Sequence, residues 1–178
     1  IHADTVISGL DPHRPYLGLI GEENLENELL TQLGHYKFRG SSGKVNLAVD
    51  KLPDFACRPG DGPHLYGDVA IAPSVRYLEE AHDQAKYGDF SERPYINMVI
   101  PTLVDPTMAP PGKHVISCFV QYAPYDIKEG ASYWPERREA FGDAVVDTLT
   151  EYIPDLKDTI LHRQVLTPWD LEQEFGLT

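Results

Sequence analysis

The chain is poor in cysteine. Cys57 and Cys118 are its only two, and a small secreted domain stapled by disulfides needs more. A single Cys57–Cys118 pair stays open as a reading, although Cys118 lies inside an apolar run, where an inert thiol is the usual state. Cations are also short: 15 Lys and Arg stand against 28 Asp and Glu, a formal charge of −13. They are scattered, and Arg137-Arg138 lies between Glu136 and Glu139. Phosphate backbones and anionic bilayers are held by clustered cations, so the pattern argues against both partners. No apolar run approaches the roughly 18 residues of a transmembrane helix, and no Asn-x-Ser/Thr acceptor occurs. Together these absences point to a reducing, aqueous compartment, the cytoplasm or an organelle matrix in a eukaryote.

Assembled catalytic motifs are missing too. Gly40-Ser41-Ser42-Gly43-Lys44 imitates part of a phosphate loop, but its spacing is two residues short and Val45 replaces the metal-binding hydroxyl. Gly60-x-Gly62 lacks a third glycine and has Pro63 where a helix should open. There is no Gly-x-Ser-x-Gly elbow, no His-x-x-x-His pair and no Cys/His cluster. A hydrolytic nucleophile and a metal site are therefore not expected.

What is present is one good core's worth of chain: 178 residues, 42% hydrophobic and 24% charged. The organising stretch is Tyr95–Ala123, two β-branched and aromatic runs joined by a proline-rich connector that ends in Pro110-Pro111-Gly112. Its near-continuous apolarity predicts central strands buried on both faces. A connector of this length is an ordinary surface loop or a functional one.

Before this stretch, Ala3–Ser8 reads as a short strand, Glu22–Leu33 as a helix, and Tyr36–Leu52 as a half-buried strand in which Val45, Leu47 and Val49 alternate with Lys44, Asn46 and Ala48. Leu65–Ala72 reads as a further strand, and Ser74 opens a helix to about Tyr87. After the stretch, Trp134-Pro135 starts the longest helix, with Phe141, Val145, Leu149 and Tyr152 on one face and Pro154 as its stop. Thr159–Leu166 reads as the last strand, and Thr167-Pro168-x-Asp170 as a capping-box start of a helix ending at Gly176. The tally predicts an α+β fold: a mixed, mostly antiparallel sheet of about five strands with helices packed on it, and no complete Rossmann domain.

Polar and aromatic groups gather at strand ends, as they do in ligand pockets. Tyr122 and Tyr125 close the second central run, His162 and Gln164 sit in the last strand, and Trp169 follows it. These five are the candidate substrate-binding residues.

Four segments, FRGSSGKVNLAVDKLPDF, IAPSVRYLEEAHDQAKYG, YINMVIPTLVDPTMAPPGKHVISCFVQYAPY and DTILHRQVLTPWDLEQEFGLT, carry a resemblance over nearly the whole chain. They resemble FAD-dependent oxidoreductases of the phytoene dehydrogenase type, in particular the subgroup called pyridine nucleotide-disulphide oxidoreductase domain-containing proteins. The resemblance covers that family's substrate-domain region; its glycine-rich dinucleotide and flavin segments would flank this chain. It implies that residues 1–12 form a strand returning to the flavin domain, with Ser8 and Gly9 near the cofactor, and that residues 13–178 form the substrate-binding domain. FAD would belong to the full-length parent, with none held by this fragment. The implied partners are an apolar, polyene-like small molecule and the remaining FAD-binding portion of the same polypeptide. The alternative is a free-standing binding or interaction module without redox activity.

Overall fold

The computed structural model describes residues 3–177. Five antiparallel strands form one sheet in the order β2-β3-β4-β1-β5: β1 (Ser42–Val49), β2 (Val69–Ile71), β3 (Tyr95–Val99), β4 (His114–Gln121) and β5 (Ile160–Leu166). The fold is α+β. Every strand pairing is antiparallel, which narrows the expected mixed sheet. The helices are α1 (Asn27–His35), α2 (Val75–Lys86), α3 (Trp134–Thr150), α4 (Leu156–Thr159) and α5 (Pro168–Phe175).

Strand periodicity explains why one face of this sheet is core. Val45, Leu47 and Val49 of β1, Ile96 and Met98 of β3, and Ile116, Cys118 and Val120 of β4 are all completely buried, as side chains at every second position must be when a helix covers one face. The cover comes from α3, whose Phe141, Val145 and Leu149 are likewise fully buried. Burial of side chains of this size contributes about 1.5–3 kcal/mol each. Two glycines set the helix-to-sheet distance. A Cβ on Gly43 would lie 2.6 Å from Phe141 Cε1, and one on Gly142 would lie 2.6 Å from Val165 Cγ2. Arg163 anchors the same contact, its guanidinium donating to Asp143 at 2.7 Å and Glu139 at 2.5 Å on α3.

Four expectations need correction. The central strands are not buried on both faces: burial alternates along β3, and Phe119 in the middle of β4 is 44% exposed. Continuous apolarity misled because Val99, Val115 and Phe119 are apolar residues on the uncovered side. Leu65–Ala72 forms only a three-residue strand, Val69–Ile71, since Leu65 belongs to the 3-10 turn Pro63–Leu65 and the chain bends through Tyr66 and Gly67 before pairing begins. Ala3–Ser8 pairs with no strand of this sheet, and its Val6 and Ile7 are 84% and 94% exposed. The first helix begins at Asn27 rather than Glu22, because Glu22–Asn24 closes as a separate 3-10 turn. The connector after β3 is specially packed: it contains two 3-10 turns, and the buried Thr102 hydroxyl accepts from Val115 N at 3.3 Å and lies 3.2 Å from His114 Nδ1. The capping box at Thr167 and Asp170 forms as expected, and Gly176 ends α5 in the left-handed conformation at φ 64°.

Candidate functional site

Antiparallel register puts directly paired residues on the same side of a sheet, so the uncovered face can be read off the ladder in four rows. Tyr95, Gln121 and Ser42 form the first; Ala70, Asn97, Phe119, Lys44 and Leu166 the second; Val99, Ser117, Asn46 and Gln164 the third; Val115, Ala48 and His162 the fourth. Among these fifteen positions stand one lysine and no carboxylate, in a chain with 28 acidic residues. Most are half-buried. From Ser42 to Ala48 the face runs roughly 20 Å, at about 3.3 Å per residue.

Polar groups on this face are tied to one another. Asn46 Nδ2 donates to Gln164 Oε1 at 2.9 Å, Gln121 Nε2 to Ser42 Oγ at 3.3 Å, and Lys44 Nζ to Ser117 Oγ at 2.7 Å. Such pairing fixes side-chain directions and leaves Phe119, Val99 and Val115 as the apolar part of the face, Leu166 being buried.

Two adjoining grooves share Phe38, Gly40, Ser41, Tyr125 and Asp126, and the second reaches Ser42 of the first row. One, of about 500 Å³, is bordered by Phe38, Arg39, His82, Tyr122 and Tyr125. The other, of about 410 Å³, is bordered by Phe38, Ser42, Tyr125, Leu171 and Leu177. The loop between them is rigidly held. Ala123 N donates to Ser41 O at 2.9 Å and Tyr125 N to Gly40 O at 3.0 Å, while the buried Trp134 indole donates to the carbonyls of Pro124 and Tyr125 at 3.2 and 3.1 Å. Tyr122 meets His82 edge-on at 5.1 Å between ring centres. The Tyr125 hydroxyl donates to the Glu172 carboxylate on α5, and its ring lies 6.4 Å from that of Trp169. Burial, then the Glu172 contact, push the Tyr125 phenol up to about 12, so it acts as a neutral hydrogen-bond donor.

The five candidate residues therefore divide. Tyr122 and Tyr125 border the grooves, with Trp169 behind Tyr125 and packed against the core; Gln164 and His162 lie on the uncovered sheet face, His162 in the row farthest from the grooves. Sequence reasoning missed Lys44, Asn46, Ser117 and Phe119. The alternation in β1 was visible, but only the register places it opposite β4. Ser8 and Gly9 lie in an exposed segment; Ser8 Oγ accepts from Leu10 N at 3.2 Å, and a Cβ on Gly9 would meet nothing within 4 Å. Gly40–Lys44 leads into and forms the start of β1 rather than a phosphate loop. Among the described residues, no three His, Cys, Asp or Glu side chains group as metal ligands, and no helix is long and apolar enough to cross a membrane.

No protein-family profile matches the chain. It is 34% identical over 183 residues to pyridine nucleotide-disulfide oxidoreductase domain-containing protein 2 of Rattus norvegicus, and equally to that of Mus musculus. The alignment covers 99% of this chain and 32% of each relative, so the chain spans about a third of their length. A shorter similarity, 34% over 82 residues, links 43% of the chain to 14% of a chloroplastic prolycopene isomerase 2 of an Oncidium hybrid cultivar. Along its whole length, then, the chain is related to proteins named for a pyridine nucleotide-disulfide oxidoreductase domain, which supports an oxidoreductase family.

Proposed function

We propose that this chain is the substrate-binding part of an FAD-dependent oxidoreductase of the phytoene dehydrogenase type, and that the uncovered sheet face and its grooves form the wall against which an elongated, apolar, polyene-like substrate lies. The observation that carries this is the composition of the face: roughly 20 Å of half-buried surface without a carboxylate, backed by a filled core. With six of its polar side chains bonded to one another, the face offers Phe119, Val99 and Val115 to an apolar molecule. The whole-length relationship to oxidoreductase-named proteins supports the redox assignment, and the partial likeness to prolycopene isomerase supports a polyene.

In this reading residues 3–12 lead toward the flavin-holding portion of the polypeptide, which lies outside this chain. A flavin bound there would supply the redox chemistry. This chain's own residues orient the substrate and exclude water: Phe119, Val99 and Val115 contact it along the sheet, and Tyr122, Tyr125 and Trp169 close one end.

Purification of the protein with its flanking gene segments is expected to give near-stoichiometric flavin absorbance, bleached anaerobically by the substrate. The 178-residue chain alone is expected to show none. Phe119→Ala in the longer protein is expected to raise KM for an apolar substrate with little effect on folding. Absence of flavin from the longer protein overturns the reading.

A further inference from the structure

Lys44 is the one formal charge on the face, and it is unspent. It sits mid-sheet between Phe119 and Leu166 in its row, half-buried. No ion pair among the described residues includes it. Its single hydrogen bond, to Ser117 Oγ at 2.7 Å, uses one of three ammonium donors. The neighbouring amides Asn46 and Gln164 bond to each other, and an amide carbonyl carries no charge to balance the ammonium.

We propose that Lys44 anchors the carboxylate of the substrate, so that the ligand of this wall is an elongated amphipathic acid rather than a pure hydrocarbon. This rests on the wall reading above. A ligand spread over the face strips water from the ammonium, and a desolvated, unpaired charge is strongly unfavourable. A ligand bringing its own anion removes that penalty and gains a charge-assisted hydrogen bond. One cation with no second cation beside it matches a carboxylate monoanion; phosphate dianions are met by several cations or by a nest of backbone amides.

The test uses cis-parinaric acid, a conjugated polyene fatty acid whose fluorescence rises in apolar surroundings, against its methyl ester, titrated into the purified protein at low ionic strength and pH 8. The acid is expected to bind about tenfold more tightly than the ester, the scale of one charge-assisted hydrogen bond. Lys44→Met is expected to bring the ratio to about one by weakening the acid alone, and Lys44→Arg to retain most of it. Lys44→Gln, which keeps a donor toward Ser117, is the second neutral variant should Lys44→Met not fold. Equal binding of acid and ester by the unmodified protein, or a ratio that survives loss of the charge, overturns the carboxylate assignment while leaving the apolar wall intact. Failure of both probes to bind overturns the wall as well.

Discussion

Arg138 of α3 forks onto Asp170 of α5: Nε donates to Oδ2 at 3.2 Å and Nη2 donates to Oδ1. The same carboxylate accepts from Thr167 N at 2.8 Å and from Thr167 Oγ1 at 2.7 Å, closing the cap of α5. One side chain thus joins the covering helix to the helix that borders the groove through Leu171 and Glu172.

Asp170 is accordingly a stability residue with a defined pH signature. Burial alone would raise its pKa, but the hydrogen bonds from Arg138 and Thr167 outweigh it and hold the carboxyl below its ordinary value. A depressed folded-state pKa contributes stability that is complete above the ordinary carboxylate value of about 4 and is lost as pH falls through the lower folded value. Asp170→Asn is expected to cost about 2 kcal/mol at neutral pH: roughly 1 from the cap, and the remainder from an ion pair discounted because the Arg138 side chain is 38% exposed. Denaturant melts at stepped pH below about 5 check this; the variant should show a shallower acid loss than the parent.

Gly43 and Gly34 predict opposite responses to one methyl group. At Gly43 the added Cβ meets Phe141 Cζ at 2.7 Å and the Leu166 carbonyl at 3.2 Å, whereas at Gly34 it meets nothing within 4 Å. Gly43→Ala is expected to destabilise by about 1–3 kcal/mol through overpacking. Gly34→Ala, near the end of α1, is expected to stabilise by about 0.5 kcal/mol by restricting the unfolded chain. Thermal melting of the two variants side by side checks the pair.

The thiols should separate cleanly. Cys57 is exposed and Cys118 buried, and both are free. Burial pushes the Cys118 thiol up to about 12, so its reactive thiolate is scarce at any ordinary pH. A chromogenic disulfide reagent should titrate one equivalent in the native protein and two in denaturant. Rapid release of the second under native conditions would show that the sheet core opens.

Much of this fold was legible in the residues. The Val45–Leu47–Val49 alternation and the Phe141–Val145–Leu149 stripe identify the two surfaces that meet in the core, because period two and period 3.6 are fixed by backbone geometry. Thr167 and Asp170 announce the last helix for the same local reason. The site was less legible. Which strand neighbours β1 is decided by long-range pairing, so Lys44 could not be set beside Phe119 or Ser117, and Val115, Val99 and Phe119 read as core although they face away from it. Tyr122, Tyr125 and Trp169 could be singled out because aromatics at strand ends are visible without register. His162 and Gln164 share the uncovered face, but the distance separating them from the tyrosines emerges only once the rows are aligned.

A sheet packed on one side and bare on the other separates two kinds of selection along a single strand. In β1, Val45 and Leu47 answer to the volume left by α3, while Lys44 and Asn46, one position away, touch none of it. Drift or engineering can therefore rewrite the even-numbered positions of this strand at little risk to the scaffold that the odd-numbered ones maintain.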